Sequence, residues 1–214
     1  MHSKTILSIE TSSNICGVAI TRGIELIAIK EDFNFRKHVE VLPSLYKNIM
    51  DESNLSLKKI DAIAVSIGPG SFTGLRIGLG FAKGIAYSHG LSIIPVPTFL
   101  SLAYSLKSLK PSNGIILSHG KKVFYQEFRW LKEIPSPLLS PSVFDIDTLQ
   151  NEKEIVFQSN CESILGSDLI IKKAHLTSAN IGYLANINFN NWRQDKPFQL
   201  VPDYIANFNT NPVG

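Results

Sequence analysis

The sequence predicts an α/β protein in two halves, each a mixed sheet flanked by helices, and three features carry that expectation. The first is a series of short apolar segments broken by polar turns over residues 4–29, the pattern of a three-stranded meander. The second is the alternation of helical and strand-like segments that follows, across residues 38–106. The third is the basic break KSLKPSNG at 107–114, rich in turn residues, after which strands begin again. The halves are therefore drawn at 1–106 and 107–214, the second degenerate and ending in an irregular tail.

Composition narrows the field. A chain of 214 residues, 44% hydrophobic and 18% charged, can bury an ordinary globular core. Its net charge of +3 is small, and its basic clusters are only pairs such as Lys58-Lys59 and Lys121-Lys122, which argues against nucleic-acid binding through a basic patch. Cys16 and Cys161 stand far apart without a CxxC spacing, so neither a zinc site nor a disulfide framework is indicated. No apolar run approaches the ~18 residues of a membrane span, and the start lacks a long apolar leader segment. The expectation is a soluble protein of a reducing, cytoplasmic compartment with no membrane attachment.

In chain order, residues 4–10 (KTILSIE) read as a strand, the polar turn Thr11-Ser12-Ser13-Asn14 follows, and 15–20 and 24–29 complete the meander. This strand order, followed by helix, strand and helix, is that of the actin-like ATPase fold, an analogy of fold alone. Residues 38–50 carry apolar groups at 39, 42, 45, 46, 49 and 50, the stripe of an amphipathic helix, with Pro43 implying a late start or a kink. His38 and Glu40 read as decoration of its exposed start. Residues 60–67 are a buried strand, 93–96 another, and Thr98 caps a helix to 106. Beyond the break, 115–117 and 123–130 form a hairpin, and 134–142, with three prolines, a loop or sheet edge. Strands at 154–158 and 169–171, a short helix at 160–165 and a last helix at 178–186 complete the reading.

The stretch 68–90, GPGSFTGLRIGLGFAKGIAYSHG, organises the first half. Gly68-Pro69-Gly70 ends the strand before it, Ser71 or Thr73 caps a helix, and Gly90 ends it. On a helical wheel Leu75, Leu79, Ala82 and Ala86 share one side, Gly74, Gly78, Phe81 and Ile85 an adjacent one, and Arg76, Lys83 and Tyr87 a narrow polar stripe. Glycines at 74, 78, 80 and 84 each cost ~1 kcal/mol against alanine inside a helix, so something packs closely on the bare backbone. Either the glycines fit tightly onto the chain's own sheet, or they present a small-residue face to another subunit. A strand, a glycine turn and a helix start also make an anion site, yet neither GxxxxGK[ST] nor GxGxxG is matched.

ILSIETSS at 6–13, KHVEVLPSL at 37–45, IDAIAVSIGPGSFTGLRIGLGFAKGIA at 60–86 and PDYI at 202–205 resemble the bacterial TsaB (YeaZ) family, well over the first hundred residues and faintly after them. The resemblance implies an actin-like (acetate kinase/Hsp70/actin) fold and a non-catalytic partner role in making threonylcarbamoyladenosine on tRNA. The implied partners are a TsaD-like catalytic paralogue and a TsaE-like ATPase, with a homodimer when the paralogue is missing and tRNA contacted only indirectly. It implies pairing through the first two helices, here by Val39, Leu42, Tyr46, Gly74, Gly78, Phe81 and Ile85. No cofactor is expected on this chain alone, ATP or ADP belonging to the complex interface; the weak cofactor candidates are Glu10, Thr11, Ser12, Gly68 and Gly70. No catalytic and no metal residue is assigned.

The chain departs from the family pattern in places. Glu10 stands where the family usually has Asp, Ser118-His119-Gly120 where Asp-Ala-Arg is common, and Ala206 where the Pro-x-Tyr-Leu-Arg tail has Arg. The paralogue's HxxxH metal motif is absent, no two of the five His residues lying four apart. A kinase or ATPase of the same fold is the alternative, and it needs a carboxylate for Mg²⁺ and a base; only Glu10 and Asp61 stand near strand ends. A peptidase needs a nucleophile elbow, but Ser71 is second rather than central in Gly70-Ser71-Phe72-Thr73-Gly74.

Overall fold

The computed structural model describes residues 3–34, 37–165 and 171–205. Three strands, β1 (Thr5–Glu10), β2 (Cys16–Arg22) and β3 (Glu25–Asp32), form the antiparallel meander. Helix α1 (His38–Ser53) follows, then β4 (Ala62–Gly68), α2 (Phe72–His89), β5 (Ser92–Pro97) and α3 (Thr98–Ser105). β4 and β5 add in parallel beside β1, giving the order β3-β2-β1-β4-β5. Helical crossovers between parallel strands require both faces of those strands to be covered, and every residue of β1 is buried. Leu7, Ile9, Val65 and Ile93 meet Leu42, Ile49, Leu79 and Ala82 of α1 and α2 on one face.

The second sheet contains β6 (Asn113–His119), β7 (Lys122–Leu131), β8 (Ile134–Pro137), β9 (Ser142–Asp145), β10 (Phe157–Ser159) and β11 (Lys172–Lys173). Its order is β11-β10-β6-β7-β8, with β9 on β7. Between β9 and β10 lies α4 (Ile146–Glu152), whose Ile146 and Leu149 cover Ile115, Val123 and Tyr125. The chain then returns. Helix α5 (Ser178–Ile187) and the single turn α6 (Phe189–Trp192) place Ile181, Leu184 and Phe189 in one core with Ile6, Ala64 and Ile94 of the first sheet and Ile116, Phe124 and Phe157 of the second. Glu31 fastens α5 by accepting from the Ser178 amide at 2.7 Å and the Thr177 hydroxyl at 2.8 Å. The layer holding α3 and α5 thus lies between the two sheets and binds them into a shared core.

A division at 106 therefore separates the sheets but not the packing, since residues 178–205 go back to the first half. Other differences are local. Pro43 sits inside α1, as its sixth residue, without delaying its start at His38; it gives up the i→i−4 hydrogen bond to the Val39 carbonyl, on the exposed side of the helix. Thr98 is the first residue of α3 rather than its cap. Residues 162–165 form a turn, not a helix, while β9 and α4 occupy a stretch assigned no element. The strand expected at 169–171 falls mostly outside the described residues, as do Ala206 and the rest of the tail. No helix among the described residues is long and apolar enough to cross a membrane.

Candidate functional site

The turn between β1 and β2 and the loop between β4 and α2 are clasped together. The Ser71 amide donates to the Ser12 carbonyl at 2.7 Å, and the Thr11 hydroxyl donates to the Gly74 carbonyl at 2.8 Å. Ser71 caps α2 by accepting from the Gly74 amide at 3.2 Å. A Cβ at Gly70 would strike the Ser12 carbonyl, one at Gly74 the Thr11 carbonyl, and one at Gly78 the Thr11 hydroxyl. These glycines exist so that two backbones can touch. Gly68 takes φ 122°, open to glycine alone, and the Asp203 amide donates to Ile67 beside it at 2.8 Å.

Glu10 ends β1 beneath this turn with no exposed surface. Its Oε1 accepts from the Ser12 amide and hydroxyl, each at 2.6 Å, and from the Ser66 hydroxyl at 3.1 Å, while Oε2 has no partner among the described residues. Burial pushes its carboxyl up to about 7, against the opposing pull of the Ser12 and Ser66 hydrogen bonds. Its role is internal, holding the turn.

Above the turn opens a cavity of about 820 Å³ between the two sheets. The first half contributes Ser12, Ser13, Gly70 and Thr73, the second Ser118, His119 and Phe124, and the returning chain Tyr204 and Ile205. Of the five cofactor candidates only Ser12 and Gly70 line it. Glu10 and Thr11 are fully enclosed, and Gly68 is buried against Asp203, so these three are corrected to structural positions. His38, read as exposed, is buried instead; its Nε2 lies 2.9 Å from the Ser13 carbonyl, pinning α1 to the same turn. Thr98, overlooked as a lining residue, has a buried hydroxyl with no partner among the described residues. A polar residue at the first position of an apolar helix was its only sequence signal.

The seven residues expected on a pairing face divide. Val39 is 66% exposed, and Tyr46 and Phe81 are partly exposed, their rings edge to face at 5.5 Å. Leu42 and Ile85 are buried in the chain's own core, and Gly74 and Gly78 are taken by Thr11, so these four offer no free surface. Within α2 the open glycines are Gly80 and Gly84, one turn apart and exposed, and nothing among the described residues outside the helix's own backbone comes within 4 Å of a Cβ built on either. On one side of them stand Tyr46 and Phe81. On the other a strap from the C-terminal part crosses α2: Lys83 donates to the Phe198 carbonyl at 3.1 Å, Arg76 to the Tyr204 hydroxyl at 2.9 Å, and Tyr87 meets Phe198. The wheel's polar stripe, Arg76, Lys83 and Tyr87, is thus the seat of that strap. The tail from residue 202 onward lacks periodicity, and its PDYI motif does not by itself indicate contact with α2.

Comparison with known proteins gives a consistent picture. The family model described as "TsaD: tRNA N6-adenosine threonylcarbamoyltransferase" matches residues 32–152. The tRNA threonylcarbamoyladenosine biosynthesis protein TsaB of Haemophilus influenzae is 27% identical over 210 residues, 86% of this chain and 88% of its own. The tRNA N6-adenosine threonylcarbamoyltransferase of Clostridium botulinum is 37% identical over 134 residues, 58% of this chain but only 39% of its own, so the chain spans well under half of that enzyme. YeaZ from Pseudomonas aeruginosa superposes with a TM-score of 0.77 at 19% identity, over 94% of this chain and 99% of the other, a likeness that shows the fold, an actin-like pair of mixed-sheet halves.

Proposed function

The chain belongs to the TsaB (YeaZ) family, and from that membership we propose that it is a non-catalytic partner subunit in tRNA N6-threonylcarbamoyladenosine modification, supporting a TsaD-like catalytic paralogue. The observation that carries this reading is the open glycine pair of α2. Two exposed helix glycines forfeit ~1 kcal/mol each in the isolated chain, with no packing in return. They make sense where a second backbone approaches between the ridge of Tyr46 and Phe81 and the strap at Tyr87 and Phe198. Val39, Tyr46 and Phe81 then supply aliphatic and aromatic anchors of an interface that, if stable, buries ~1,600 Å² in total. The same face would pair two copies of the chain when the paralogue is missing. A TsaE-like ATPase, with ATP or ADP at the complex interface, and indirect contact with tRNA complete the proposal.

The test is titration of the TsaD-like paralogue from the same organism against wild type and Gly84→Arg, by calorimetry and size-exclusion chromatography. Arginine favours the helix over glycine but leaves a buried, unpaired charge in any close interface. Pairing weakened by ~100-fold or more, with no loss in melting temperature, is expected. Undiminished pairing of Gly84→Arg would refute the assignment of this face.

A further inference from the structure

We propose that the turn at residues 11–14 is the common seat of α1 and α2, and that a proton on Glu10 beneath it sets both helices for a partner, so that pairing loosens as pH rises. The inference rests on the pairing reading given above and concerns the regulation of that face.

The turn touches the start of both helices. Its Ser13 carbonyl lies 2.9 Å from Nε2 of His38, the first residue of α1. Its Ser12 carbonyl accepts from the amide of Ser71, the cap of α2, at 2.7 Å. Its Thr11 hydroxyl donates to the Gly74 carbonyl at 2.8 Å, in the first turn of α2. A shift of these few residues therefore moves both helix starts together. Val39, the exposed residue next to His38, and the ridge of Tyr46 and Phe81 ride on the helices so moved.

Glu10 holds the turn from below, and its hydrogen bonds are lopsided. Oε1 accepts from the Ser12 amide, the Ser12 hydroxyl and the Ser66 hydroxyl, while the enclosed Oε2 has no partner among the described residues. Ionised, the group keeps part of its charge unsolvated, so ionisation favours any rearrangement of the turn that admits water. The neighbours do not relieve this. Glu31 of β3 bears on Glu10 as a like charge, and Asp32 stands at the end of the same strand. On β2 the Cys16 thiol, pushed up to about 12 chiefly by burial, stays neutral. β4 presents the Ser66 hydroxyl, and α5 sets Ser178 against Gly17, the cross-strand partner of Glu10. His38 faces the turn from α1. Arg76 of α2 is engaged with Phe72 and Tyr204, and Asp203 of the returning chain lies beside Gly68. Burial, with Glu31 adding to it, places the titration of Glu10 at about 7, where ordinary changes of pH move it. A partner docking on α1 and α2 selects the seated turn, which is the protonated one. Pairing then raises the proton affinity of Glu10, and by linkage the affinity for the partner falls as pH rises through 7.

The test is calorimetry of the full chain with the TsaD-like paralogue of the same organism, at about pH 6 and about pH 8.5, for wild type and Glu10→Gln. The wild-type dissociation constant should rise ~5-fold or more over that range, and pairing near neutral pH should take up part of a proton, read from two buffers of different ionisation enthalpy. Glu10→Gln, uncharged throughout, should lack this excess and pair at the higher pH about as tightly as wild type does at the lower. Groups of the paralogue that titrate are common to both proteins and cancel. Hydrogen exchange of the wild type alone gives a second reading that no variant has to fold for. Corrected for the intrinsic rate, the Ser12 and Ser71 amides should exchange faster at the higher pH and slow again on pairing. The same pH dependence in wild type and Glu10→Gln, or exchange at Ser12 and Ser71 unmoved by pH and partner, would overturn the inference and leave the pairing reading standing. No pairing at any pH would remove both.

Discussion

Gly74 and Gly78 on one side of α2, and Gly80 and Gly84 on the other, are the same residue in the same helix, yet they answer to different neighbours. The inner pair is complete within the chain, because the Thr11 carbonyl and hydroxyl occupy the space of any side chain there. The outer pair has nothing against it among the described residues. A glycine-rich helix thus combines a self-contained clasp with an unfinished surface, and the same count of glycines can report on folding or on partnership. Only the direction in which each one faces separates the two. The comparison can be broken at the inner face first, where the largest effect is expected. Gly74→Val would drive two methyl groups into the Thr11 backbone, which cannot move without freeing the Ser71–Ser12 hydrogen bond. Destabilisation of about 3 kcal/mol or more, or failure to fold, should appear in thermal or urea unfolding. A Gly74→Val chain as stable as wild type would show that the clasp is slack.

The turn on which the inner glycines rest is itself held by Glu10, and that makes the inner region sensitive to pH. The folded carboxyl, raised to about 7 chiefly by burial, binds its proton more tightly than the unfolded chain does near 4.5. Its contribution to stability is therefore fully present below about pH 4.5 and disappears as pH rises through 7. Between pH 5 and pH 8 the wild type should lose roughly 2–3 kcal/mol from this group. Glu10→Gln, which keeps an acceptor for Ser12 and Ser66 but does not titrate, should remove most of that slope. Urea unfolding of both proteins at several pH values measures the difference. Equal slopes would mean that Glu10 is ionised in the folded protein throughout.

How far the sequence reached follows the same division. The central strands of the first half were legible because β1 and β4 are buried on both faces and read as nearly continuous apolar runs, while β5 at the sheet edge still shows the β-branched core Ile93, Ile94 and Val96 between its prolines. Ser71 as a cap and Gly90 as a terminator follow from local chemistry, and the structure has both. The division of the four glycines was not legible, since a wheel orders residues around an axis without saying where the Thr11 turn will land. Nor was the burial of His38, fixed by a carbonyl 25 positions earlier. In the second half, α4 escaped notice because seven residues leave too short a period to read, though Asp145, which accepts from the Asp147 amide at 3.1 Å, is an ordinary cap. The strap at 197–205 has no period at all. Its position depends on long-range contacts with Lys83, Arg76 and Tyr87 that no local pattern encodes.

The smallest effect, and the one that sharpens the comparison most, is at the outer pair. Gly80→Ala and Gly84→Ala place a methyl group into open space in the middle of a long helix, with no positive φ to strain. In the isolated chain each should be stabilising by up to ~1 kcal/mol, because alanine restricts the unfolded chain and favours the helix. The same methyl at Gly78 would meet the Thr11 hydroxyl and should lower the melting temperature, so that Ala scanning along α2 changes sign between residues 78 and 80. If the outer face receives a partner backbone, Gly80→Ala and Gly84→Ala should also weaken that pairing by roughly 10-fold together, since a methyl on each holds the helices apart and loosens their packing. Stabilisation of the isolated chain accompanied by weakened pairing places the reason for these glycines in the interface. Stabilisation with pairing untouched places the partner on another surface, and destabilisation of the isolated chain would mean that the outer face is not open in solution.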